Sequence, residues 1–121
     1  MYYETMDFCT RARRANKKIY VSDKIKFTHF GGQSVDLKRF SYEYSLSRSW
    51  HYCWSKFYYF KKNFGYFYGL KKIFPNLIRS IKRMIFCKIR REDKQFYLYK
   101  NEFLGILSSV LNKPSDYRPF K

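Results

Sequence analysis

Between Tyr42 and Asn63 the sequence contains neither proline nor glycine and is dense in Trp, Tyr and Phe. A stretch of that length without a breaker predicts one long helix with aromatic rings on most of its sides, ended by Gly65. From Leu70 to Ile85 the apolar residues Leu70, Ile73, Phe74, Leu77, Ile78, Ile81, Met84 and Ile85 follow the three-and-four spacing of a helix, with Lys71, Lys72, Arg79, Lys82 and Arg83 opposite them. This is the pattern of a basic amphipathic helix. Pro75 lies inside it, so one kinked helix and two shorter helices are equally compatible with the pattern. After the charged connection from Lys88 to Lys94, Phe96 to Leu111 reads as a last helix closed by Asn112, Lys113 and Pro114.

The N-terminal third reads differently. Asp7 is placed to cap a helix running from Phe8 to Ala15, with Arg11, Arg13 and Arg14 on its wet side and Asn16 as its stop. Lys18 to Val21 and Ile25 to Phe30 are rich in β-branched and aromatic residues and flank Ser22, Asp23 and Lys24, which predicts two short extended segments around a turn. Gly31, Gly32, Gln33 and Ser34 follow as a loop with room for a close backbone approach.

With 121 residues the chain holds one domain or part of one. Its 26 basic residues against 9 acidic ones give a formal charge of +17. Charge of that size in an apolar-poor chain would mean disorder, but 45% hydrophobic content supports a core. The positive field then points to phosphates of nucleic acid, anionic lipid or a phosphorylated substrate. Cys9, Cys53 and Cys87 show no metal-site spacing to one another or to His29 and His51, and read as reduced thiols of a cytosolic protein. The N-terminus lacks the basic start and apolar run of a signal peptide, and no uncharged apolar run approaches the roughly 18 residues of a spanning helix.

The order of the segments carries a resemblance. Met1 to Ala12, with Glu4, Thr5, Met6 and Asp7 inside it, then Lys18-Ile19-Tyr20-Val21 and His29-Phe30-Gly31-Gly32-Gln33-Ser34 are similar to a stretch of family 2 glycosyltransferases, rhamnosyltransferase-like members above all. Trp50-His51-Tyr52, Ser55 to Lys62 and the end at Tyr117-Arg118-Pro119 resemble the C-terminal helices of the same group. The resemblance implies an α/β (α+β) fragment: the C-terminal, acceptor-side part of a GT-A fold, mostly helical with a short β element near the N-terminus. Residues 1–40 would end the catalytic domain, and residues 41–121 would form a helical, membrane-proximal extension.

The function so implied is transfer of a sugar from a nucleotide-sugar donor to a lipid-linked saccharide in cell-surface polysaccharide synthesis. The chain would be a truncated or split form, inactive without an N-terminal donor-binding polypeptide. In the family an acid of this motif takes the proton from the acceptor hydroxyl, work that suits an ionised carboxylate. Glu4 and Asp7 match the motif, whereas Thr5 replaces the expected Asp and cannot be that base. The plain reading of Asp7 is a helix cap. His29 matches a histidine that helps hold Mg or Mn in full-length relatives, but only beside an Asp-x-Asp that this sequence lacks. No metal is therefore expected for this chain alone.

For the Leu70 to Ile89 stretch, the expectation is contact with an anionic membrane through Lys71, Lys72, Arg79, Lys82 and Arg83, each basic residue contributing about 1 kcal/mol near the surface. The place so implied is peripheral, on the inner face of the plasma membrane. Packing of the stripe inside the fold is the plain alternative. A second function class, binding of single-stranded nucleic acid, follows from aromatics interleaved with Lys and Arg. No recognisable binding module supports it, and it is not favoured.

Overall fold

The computed structural model describes residues 2–28 and 37–119. In chain order they form α1 (Glu4–Arg14), α2 (Leu37–Phe64), α3 (Tyr66–Ile89) and α4 (Asp93–Val110). No strand occurs among the described residues, which overturns the α/β (α+β) expectation and the GT-A architecture with it. The two segments expected to be extended explain why. Residues 18–28 are exposed, and the turn between the segments is marked by Lys24 N–H donating to Ser22 Oγ at 3.3 Å, with no main-chain ladder joining its arms among the described residues. Val21 is 98% exposed and Phe27 84%. β-propensity becomes a strand only where a partner strand and a face to bury are present, and a lone hairpin is marginal in water.

The helical part follows the punctuation of the sequence. Asn16, Arg91 and Asn112 take positive φ of 53°, 57° and 58° just past α1, α3 and α4. In each case the next residue's N–H reaches back to close the helix end: Lys17 to Ala12 O at 2.9 Å, Glu92 to Cys87 O at 2.9 Å and Lys113 to Ser108 O at 2.8 Å. Gly65, at φ 94°, separates α2 from α3. α2 is broken at Phe40, whose φ of −121° and ψ of 28° are not helical. α3 runs through Pro75 without interruption. That proline is exposed, and the helix is anchored on both sides of it by the buried Gly69, Ile73, Ser80 and Cys87.

The core lies where α2, α3 and α4 meet. Cys53, Phe57, Ile73 and Ile106 are essentially inaccessible, with Leu70, Leu77 and Val110 packed against them. Burial pushes the Cys53 thiol up to about 12, so it is a small apolar group at neutral pH. On α4 the buried Asn101, Gly105 and Ser109 recur every fourth residue, and this narrow face lets α4 approach α2 closely. Ser109 Oγ donates to Trp54 O at 2.9 Å across that contact.

After α4 the chain turns back along α2. Trp54 Nε1 donates to Lys113 O at 3.0 Å, and Lys61 Nζ donates to Asn112 Oδ1. His51 holds the tail at two points, its Nε2 donating to Tyr117 O at 3.0 Å and its Nδ1 accepting from Ser115 Oγ at 2.9 Å. Burial lowers the His51 pKa, which favours the neutral ring with its proton on Nε2 and leaves Nδ1 to accept from Ser115.

Candidate functional site

α1 rests on the C-terminal half of α2, and the two helices enclose a groove of about 280 Å³. From α1 come Glu4, Asp7 and Arg11, which share a face because they are spaced by three and four residues. From α2 come Trp54, Tyr58 and Lys62, again four residues apart, with Ser55 and Tyr59 beside them. Tyr2, Tyr3 and Ser115 complete the lining.

The aromatic wall belongs to a longer stack. Tyr117 lies on Trp50 with ring centroids 5.6 Å apart, Trp50 on Trp54 at 6.5 Å and Trp54 on Tyr58 at 5.0 Å, all within 18° of parallel. Across the groove Tyr3 stacks on Tyr59 at 5.4 Å, and burial, with Tyr52 alongside, raises its hydroxyl pKa.

The acids have separate tasks. α1 begins at Glu4 and Tyr3 makes no side-chain cap bond, so Asp7 is not a cap but lies one turn inside the helix. Its carboxylate receives Asn63 Nδ2 at 3.0 Å, Lys62 Nζ at 2.9 Å and Arg11 Nε at 3.0 Å. These donors, Asn63 first and Lys62 next, hold its pKa down at about 2. Together with Thr10 Oγ1 against Tyr59 Oη at 2.8 Å and Arg14 on Asn63, they dock α1 on α2. Glu4 is exposed, and its side chain makes no hydrogen bond or ion pair among the described residues. Thr5 is exposed and does not line the groove.

A depressed carboxyl pKa contributes stability that is complete above the unfolded value near 4 and is lost as pH falls through about 2. Acidification through that window, or Asp7→Asn at neutral pH, is therefore expected to release α1 while the three-helix core persists. Hydrogen exchange would show the amides of Glu4–Arg14 losing protection before those of α2 to α4. Unchanged protection of α1 in Asp7→Asn would refute the assignment.

His29, Gly31, Gly32, Gln33 and Ser34 lie outside the described residues. Among the described residues no group of three or more His, Cys, Asp or Glu could hold a metal ion. The groove does not fit Mg or Mn either, because the Asp7 oxygens already accept three donors and Glu4 alone gives a hard cation too few oxygens. Lys71, Lys72, Arg79, Lys82 and Arg83 are exposed on α3. Arg79 pairs with Glu102 at 3.0 Å, and Lys72 lies over the rings of Phe60 and Tyr68.

The aromatic groove wall was not singled out from the sequence. The signal that could have found it is the four-residue spacing of Trp50, Trp54 and Tyr58. Compared with family models, curated proteins and solved structures, the chain matches none.

Proposed function

We propose that this chain is the acceptor-side part of a sugar transferase and that the groove between α1 and α2 holds a saccharide. One observation carries the reading: the unpaired Glu4 carboxylate shares a groove with the Trp54 and Tyr58 rings. The C–H face of a pyranose stacks on an exposed ring such as Tyr58, which ends the stack and is backed by Trp54, and its hydroxyls donate to a carboxylate. Formally, Glu4 and Asp7 balance Arg11 and Lys62, so the groove is close to neutral within a chain of charge +17. A neutral, polyhydroxylated ligand suits it better than a nucleic-acid strand, since Arg11 Nε and Lys62 Nζ are already engaged by Asp7. The resemblance supplies the reaction. Glu4 would take the proton from the acceptor hydroxyl, and a lipid-linked acceptor would place the protein on the inner face of the plasma membrane.

Calorimetric titration with neutral hexose and deoxyhexose oligosaccharides, rhamnose-containing ones among them, tests the groove. Saturable binding is expected, weakened about tenfold by Trp54→Ala and little by Phe67→Ala, which lies on α3 outside the groove lining. Absence of binding, or equal effects of the two variants, would sink the reading. Supplied with nucleotide sugars, Mg or Mn and lipid-linked acceptors, the chain alone is expected to consume no donor, because none of its described residues positions a diphosphate leaving group.

A further inference from the structure

α3 carries two apolar stripes where the sequence pattern suggested one. Leu70, Ile73, Leu77, Met84 and Cys87 turn towards α2 and α4 and are wholly or partly buried. Phe74, Ile78, Ile81, Ile85 and Ile89, spaced by four, three, four and four residues, form a separate line about a third of a turn away. They are 58%, 36%, 37%, 59% and 76% exposed, and Phe67, two turns before Phe74, is 84% exposed. Folding accounts for the first stripe and leaves the second uncovered. The expectation that Leu70, Ile73, Leu77 and Met84 meet a membrane is corrected accordingly, since they belong to the core side.

We propose that the outer stripe of α3 lies on an anionic phospholipid surface, parallel to its plane, with Phe74, Ile78, Ile81, Ile85 and Ile89 below the headgroups. Charge selects this occupant. Lys71 and Lys82 border the stripe on one side and Lys88 on the other, and α3 contains no Asp or Glu. A shallow hollow between Phe74 and Ile78 on one side and Lys82 and Arg83 on the other marks where acyl chain would give way to phosphate. A second copy of the chain would instead bring two such basic borders together without a single α3 carboxylate to offset them. A lipid surface supplies both an apolar interior and negative charge along the whole helix. No described helix is long and apolar enough to cross a membrane, so the geometry is that of a helix lying in the interface.

This surface is separate from the groove, and its variants leave the groove lining untouched, so the two proposals fail independently. The test is co-sedimentation of the full chain with vesicles of phosphatidylcholine alone and of phosphatidylcholine mixed with phosphatidylserine. Binding is expected to the mixed vesicles, to weaken in high salt without vanishing, and to fall at least about tenfold in both Phe74→Ser/Ile85→Ser and Lys71→Glu/Lys82→Glu. Circular dichroism confirms folding of each variant, and Ile89→Ser alone, at the most exposed position of the line, serves if the double variant unfolds. Loss on charge reversal with no effect of Phe74→Ser/Ile85→Ser or Ile89→Ser would mean adsorption by net charge and overturn the proposal. So would a lipid-free dimer that Phe74→Ser/Ile85→Ser dissolves, or failure of the wild type to bind the mixed vesicles.

Discussion

Gly105→Ala is expected to lower stability by about 3 kcal/mol, the upper end of the range for forcing extra atoms into a packed interior. A Cβ at this position would meet Trp50 C at 3.0 Å and Trp50 Cα at 3.1 Å, and would press still closer on the Trp50 carbonyl oxygen. These are backbone atoms, so no rotamer change can relieve the clash and α4 must move away from α2. The displacement would strain the Ser109 to Trp54 hydrogen bond one turn along. Urea unfolding should show a lower midpoint with helical circular dichroism largely retained in the folded baseline. An unchanged midpoint would mean that the two helices do not approach as closely as described.

Phe57→Ala should cost more, about 3–5 kcal/mol, because it empties the centre of the core. Phe57 is wholly buried, packs with Cys53, Ile73 and Ile106, and meets Tyr66 edge-on with centroids 5.6 Å apart. Its ring also sits beneath the α2 and α3 crossing, where a Cβ on Gly69 would lie 3.1 Å from Phe57 Cε2. The surroundings are held by three helices and can collapse only in part. Against a typical domain stability of about 5–15 kcal/mol, such a loss leaves a marginal protein. Phe67→Ala, at a residue 84% exposed, is the matched control and should change stability by less than about 0.5 kcal/mol. Similar midpoints for the two alanine variants would contradict the core.

These contrasts show what the residues disclose in advance. Helix ends were legible at Asn16, Gly65 and Asn112 because each residue type tolerates positive φ, a local property of the chain. Arg91 performs the same turn without any such signal. The apolar positions of α3 were legible as helical, but their division was not: two stripes a third of a turn apart merge into one broad face when only spacing is read. Which stripe is buried depends on where α2 and α4 lie, a tertiary fact. The segments Lys18 to Val21 and Ile25 to Phe30, as far as they are described, do not form the expected β element for a related reason, since strand-forming residues declare a preference and not the partner that would satisfy it.

The site shows the same boundary. Glu4 and Asp7 were visible as two acids ahead of a helix expected over Phe8 to Ala15, yet their difference rests on Asn63 and Lys62, more than fifty residues away in the chain. The closeness of α4 to α2 was written in Asn101, Gly105 and Ser109, whose small or polar side chains at every fourth position mark a helix face built for contact.

The stack of Tyr117, Trp50, Trp54 and Tyr58 contains both tryptophans of the chain, and α3 has none. Intrinsic fluorescence is therefore a private channel to one half of the molecule. A sugar entering the groove would touch Trp54, and release of the C-terminal tail would bare Trp50, so both events should change emission. Lipid contact through α3 would pass unseen unless a tryptophan were introduced there, for which Phe67→Trp is the conservative choice. With that variant beside the wild type, a single spectrum separates an event in the groove from one at the bilayer, without labels and in the same cuvette.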